Sequence, residues 1–127
     1  PAGQARITPA QIVASARRLE ALGFDNVSAP EAGHDPFLPL AIAAACTGRV
    51  RLATNVAVAF PRSPMVTAQC AWDLQQLSNG RFSLGLGSQV KAHNERRYGT
   101  PWPSGPGPRI GIFAPDARTA ASPLIAD

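Results

Sequence analysis

Residues 63–89 read SPMVTAQCAWDLQQLSNGRFSLGLGSQ, and the order of signals within them decides the fold class. Ser63-Pro64 predicts a helix start: serine favours the cap, and proline suits the first helical position, where an N–H would go unused. Val66, Ala68, Trp72 and Leu77 carry apolar character along that helix to Asn79-Gly80, residues that tolerate the left-handed conformation in which helices end. Arg81–Leu86 follows as a strand. A helix thus delivers the chain directly into a strand.

The same unit recurs twice upstream. Thr8 is a good N-cap, Pro9 fits the first helical turn, and Gln11 stands where a capping-box partner belongs. Ile12, Val13, Ala16, Leu19 and Leu22 form a stripe at helical spacing, which Gly23 ends before a short strand over 24–29. Asp35-Pro36 opens the next helix, which runs to Cys46 and stops at Thr47-Gly48. Val50–Val58 is then a nearly unbroken apolar run, as a parallel strand covered on both faces should be. The order is α-β-α-β-α-β with strands beginning near 24, 50 and 81, the pattern of right-handed βαβ crossovers in a parallel sheet.

From Thr100 to Asp127 the character changes. This segment holds six of the 13 prolines and lacks a helical or strand period, so an irregular tail is predicted. The organisation expected is therefore an α/β domain over 1–99 and a Pro/Gly-rich tail over 100–127.

Composition narrows the function classes. The chain has 127 residues, 45% of them hydrophobic, enough for one domain with a core. Its 12 basic and 8 acidic residues give a net charge of +4, but the charge is spread along the chain, with no polybasic run interleaved with aromatics. Nucleic acid is therefore not expected as a partner. No stretch of about 18 apolar residues predicts a membrane span, and no charged-then-apolar leader is evident, so a cytoplasmic protein is expected. Cys46 and Cys70 each lie within an apolar helical stretch and read as small buried hydrophobes in a reducing compartment. No metal site is expected, since His93 has no second ligand at useful spacing.

Ligands of parallel α/β sheets bind at the carboxyl ends of the strands. That rule singles out Pro30, Glu31, Gly33 and His34 after the first strand, and Thr54, Asn55, Val56 and Ala57 after the second. After the third come Gly85, Leu86, Gly87, Ser88 and Gln89, then Lys91, His93 and Asn94. Glycines over 85–88 allow close backbone approach to a phosphate, with the Ser88 hydroxyl as a further donor. The alternative is that they only permit tight packing, with Arg96 and Arg97 a solvated helix face. The segment is not a dinucleotide fingerprint, because Val90 stands where a third glycine would. Glu31 and His34 are the candidate catalytic groups; the competing roles are an ion pair with an arginine for Glu31 and a helix cap for His34. Asp35 reads as a cap, and Trp72 and Phe82 as core.

The segments RRLEALGFDNV (17–27), HDPFLPLAIAAACTGRVRLATNVAVAFPRSP (34–64), AWDLQQLSNGRFSLGLGSQVKAHNERRYG (71–99) and PW (101–102) together resemble the luciferase-like monooxygenase superfamily, in particular its deazaflavin (coenzyme F420)-dependent branch. The resemblance implies a partial TIM (β/α)8 barrel, with this chain supplying the second, third and fourth strands. It implies an oxidoreductase performing hydride transfer or monooxygenation on a small organic substrate, with F420 or FMN as cofactor. It also implies a non-prolyl cis peptide supporting the flavin ring, which falls on Asn55–Val56, an acidic position at Glu31, and a phosphate site around Gly87, Ser88 and Gln89, with Lys91 and His93 near the cofactor tail. The chain departs from the family where Ala32 replaces a histidine found in some relatives. It departs again beyond residue 102, where the expected helix and further strands give way to Pro/Gly/Ala/Arg text, as after a truncation or frameshift. A typical barrel needs about 250 residues, so impaired activity and self-association through open edges are expected. The alternative is a non-catalytic α/β binding or self-association module.

Overall fold

The computed structural model describes residues 6–103 and the backbone of 111–113. Helix α1 (Pro9–Ala21) opens with the predicted capping box: Thr8 Oγ1 accepts the Gln11 N–H at 3.3 Å, and Gln11 Oε1 accepts the Thr8 N–H at 3.0 Å. It closes at Gly23, whose φ of +86° is open to glycine with little penalty. Strand β1 (Asn26–Ala29) follows, then α2 (Phe37–Cys46), where the Asp35 carboxylate accepts the Phe37 and Leu38 N–H groups at 2.8 and 3.1 Å. Asp35 is thus a cap, as its position before Pro36 suggests.

The apolar run over 50–58 is two strands, β2 (Arg51–Thr54) and β3 (Ala57–Val58). Both run parallel to β4 (Phe82–Gly87), which follows α3 (Pro64–Leu77). Leu52 pairs with Phe82 and Ala57 with Leu86, so five steps on one side face four on the other. One extra residue is accommodated between Thr54 and Ala57, where the Asn55–Val56 peptide is cis. β1 pairs in parallel with β2, giving the predicted βαβ order β1-β2-β4. After β4 comes a short helix, α4 (Lys91–Arg97).

Helix α2 touches both α1 and α3, so the three form one layer. Beneath it Leu40, Ala43, Ala44, Ala71 and Leu74 meet Val50, Leu52, Phe82 and Leu84 in a single core. Phe37 and Phe82 lie tilted at 6.4 Å.

Three expectations are corrected. Trp72 is 50% exposed, and Val66 and Leu77 are exposed with it; the face that α3 buries runs instead through Thr67, Ala71 and Leu74. Both faces carry apolar residues at helical spacing, and the smaller side chains win because they allow α3 to approach α2 and β4 closely. Leu22 is exposed too, lying past the end of α1. Finally, the segment predicted to be irregular contains a strand, β5 (Gly111–Phe113), antiparallel to β4 with Gly85 opposite Ile112. β4 has a second edge whose backbone groups need partners, and an extended segment satisfies them. The rest of the tail beyond residue 103 lies outside the described residues.

Candidate functional site at the carboxyl ends of the strands

Because β1, β2 and β4 are parallel, the segments that leave their carboxyl ends share one rim. The first two are laced together. Ala29 C=O accepts the Asn55 N–H at 2.9 Å, and the Glu31 N–H donates to Val56 C=O at 3.3 Å. The Glu31 carboxylate accepts the Val58 N–H at 2.7 Å, Arg62 Nη2 at 3.0 Å and the Tyr98 hydroxyl at 3.4 Å. Its side chain is only 8% exposed. Glu31 is therefore an acceptor already engaged from three directions. The predicted partner class, an arginine, is present, but the pair is largely buried and not a surface bridge.

Arg62, which sequence reasoning passed over, is the centre of this network. Its Nη2 also reaches Asp35 at 2.9 Å, and its guanidinium lies 5.1 Å from the centroid of the Phe37 ring. Burial works against its charge, but the hydrogen bonds to Asp35 and Glu31 outweigh burial and raise its pKa. The signal available beforehand was an arginine between Pro61 and Ser63, at the end of an apolar strand and the start of a helix. Tyr98 is likewise pushed up, first by burial and then by the negative Glu31.

In the third segment Gly85 and Gly87 both belong to strand β4, which ends one residue beyond the predicted 81–86. A Cβ at Gly85 would collide with the Thr54 carbonyl oxygen, and one at Gly87 would stand 2.5 Å from Val56 Cγ2. The Thr54 hydroxyl, fully buried, accepts the Gly85 N–H and donates to the Gly85 C=O, both at 2.8 Å. Both glycines thus make room for the neighbouring chain, which is the packing alternative.

The turn proper is Ser88–Val90. Gln89 takes a left-handed φ of +57°, and its side chain accepts the Val90 N–H at 3.0 Å. Asn94, completely buried, donates from Nδ2 to Ser88 C=O at 2.8 Å and to Val90 C=O at 3.2 Å. Its Oδ1 has no partner among the described residues. The turn's carbonyls are thereby tied to α4, leaving the half-buried Ser88 and Gln89 and the exposed Lys91 on the outside. Lys91 lies 3.8 Å from Glu95 in an exposed pair. Asn55, His34 and His93 are exposed and Val56 is half-buried. The end of α4 crosses back over the rim: Arg97 donates to Ala32 C=O at 2.6 Å, and Trp102 meets Phe60 edge-on at 5.5 Å.

Among the described residues no group of three His, Cys, Asp or Glu side chains could hold a metal, and no helix is long and apolar enough to cross a membrane.

The family model of luciferase-like monooxygenases matches residues 1–107. An uncharacterized protein of Mycobacterium tuberculosis, Rv1360, is 55% identical over 84 residues, 66% of this chain and 25% of its own. A protein of the same organism named a putative coenzyme F420-dependent oxidoreductase, Rv3520c, is 42% identical over 95 residues, 74% of this chain and 26% of its own. The oxygenating constituent of 3,6-diketocamphane monooxygenase from Pseudomonas putida, solved with FMN, superposes with a TM-score of 0.67 at 26% identity, over 80% of this chain and 30% of its own. The chain thus spans about a quarter to a third of the length of these relatives. On this evidence the chain belongs to the luciferase-like monooxygenase family, and its parallel sheet and helices form part of that family's TIM barrel.

Proposed function

We propose that this chain carries one side of the cofactor site of an oxidoreductase that uses coenzyme F420, with FMN as the alternative. The observation that carries the reading is the convergence of three segments, Glu31, Asn55–Val58 and Ser88–Lys91, on one rim of a parallel sheet. In support, a relative 42% identical is named F420-dependent, whereas the FMN-bound neighbour is more distant.

The residues fit such a group in part. The outward donors of Ser88, Gln89 and Lys91 suit a phosphate, because Asn94 keeps the turn's carbonyl oxygens away from it. The Gly85–Gly87 face offers no cradle, since Thr54 and Val56 fill it. When bound, the cofactor supplies the hydride or oxygen chemistry, and the protein supplies binding and orientation. Asn55 and Val56 would flank its ring. Glu31 serves to position the Val56–Val58 main chain and not to transfer protons, since its carboxylate is engaged by Val58, Arg62 and Tyr98. With a quarter to a third of the relatives' length present, the chain alone would bind weakly and not turn over a small organic substrate.

Titration of the purified chain with F420 and with FMN, followed by cofactor fluorescence, tests this. Saturable binding that weakens in Ser88→Ala and Lys91→Ala supports it; indifference to both cofactors sinks it. A second reading, a non-catalytic self-association module, draws on the exposed apolar residues of α3 and the edge of β1 that no strand among the described residues pairs. A stable dimer that ignores both cofactors would favour it.

A further inference from the structure

We propose that Arg62 is a positioning residue for the cofactor-facing rim, acting through Glu31 to fix the main chain of Val56–Val58. The inference deepens the reading above and rests on it. Glu31 grips the second segment at two points, its N–H on Val56 C=O at 3.3 Å and its carboxylate on Val58 N–H at 2.7 Å. A glutamate side chain has three rotatable bonds, so this grip is only as firm as whatever holds the carboxylate. Arg62 holds it, with one nitrogen placed 3.0 Å from Glu31 and 2.9 Å from Asp35.

Arg62 is itself anchored. Asp35 is fixed by the first amides of α2, and the Phe37 ring lies 5.1 Å beneath the guanidinium. The link runs from the start of α2 through Arg62 and Glu31 to the end of β2 and the start of β3, entirely on the side where ligands of parallel sheets bind. Its purpose in packing alone would be obscure. Replacing a buried ion pair with apolar groups is often neutral or stabilising, whereas the pairing here specifies the position of a main-chain segment.

A single nitrogen serves both carboxylates, so the link needs a charge with several donors more than it needs a planar fork. Lysine keeps the charge and three donors, while giving up the contact of the guanidinium with the Phe37 ring. The test compares Arg62→Met, Arg62→Lys and the wild type in two measurements: hydrogen exchange of the Val58 amide without cofactor, and affinity for F420 and FMN.

Arg62→Met is expected to speed Val58 exchange and weaken cofactor binding, each by about tenfold or more, the scale of a lost charged hydrogen bond. Arg62→Lys is expected to recover most of both. Unchanged exchange and affinity in Arg62→Met, or no recovery with lysine, would overturn the proposal. Should Arg62→Met fail to fold, Glu31→Gln decides the matter: its amide oxygen can still accept the Val58 N–H but no longer draws the cation. Faster Val58 exchange in that variant supports the proposal, and wild-type exchange refutes it. If the wild type captures neither cofactor, the functional reading fails separately, while the exchange measurement still judges the role of Arg62.

Discussion

At the residue scale, two glycines two positions apart answer to different neighbours. The atom facing Gly85 is the backbone oxygen of Thr54, which cannot move without shifting β2; the atom facing Gly87 is a methyl of Val56, which can rotate. Gly85→Ala should therefore cost about 2–3 kcal/mol and Gly87→Ala about 1 kcal/mol, read as urea midpoints. Thr54→Val should cost about 1–3 kcal/mol, because it strands the Thr54-bonded groups of Gly85 in a buried place. Tyr98 is the only tyrosine, so phenolate absorbance reports it alone. Burial first and Glu31 second raise its pKa, so its contribution to stability is complete below the ordinary tyrosine value and declines as pH rises through the folded one. The absorbance titration should lie above that of free tyrosine and move down in Glu31→Gln. None of these pairings is legible from local sequence: Thr54 and Gly85 are 31 positions apart, and Tyr98 and Glu31 67.

At the scale of elements, caps were legible because a cap is a contact between near neighbours. Thr8 with Gln11, Asp35 with Phe37, and Gly23 all stand where their residue types predict. Thr8→Ala should lower stability by about 1 kcal/mol in a thermal melt. The break between β2 and β3 was not legible from hydropathy, since Val56 and Ala57 continue the apolar run; only the family resemblance pointed to Asn55–Val56. The turn before β2 is held by Glu20, whose carboxylate accepts the Gly48, Arg49 and Val50 amides. Those of Val50 and then Arg49 lower its pKa most. Its stabilisation is present above the ordinary glutamate value and lost as pH falls through the lowered one. Glu20→Gln should accordingly flatten the acid side of a stability–pH curve.

At the scale of the molecule, the sheet has an edge that nothing among the described residues pairs, on the far side of β1. Beside it lies a cavity of about 290 Å³ between α1, β1 and α2, lined by Ile12, Ala16, Val27 and Leu40 among others. It is not at the rim where the candidate chemistry sits. Met65, Val66, Trp72 and Leu77 are exposed along α3, an apolar surface of the kind that mediates association. The chain is expected to associate with increasing concentration in sedimentation experiments, and Trp72→Arg with Leu77→Glu to reduce this without altering the fold. A monomer at all concentrations would count against it.

The sequence by itself determined the order and direction of the elements, because caps, glycine stops and apolar periods are set by residues within a few positions of one another. It also marked the rim, since parallel strands must end on the same side. Tertiary structure alone decided what each residue does there. The glycines make way for a neighbouring strand, Glu31 is engaged, α3 turns Trp72 outward, and an arginine between Pro61 and Ser63 bridges Glu31 and Asp35. Each of these depends on which distant segment arrives alongside, and a local pattern carries no record of distance in space.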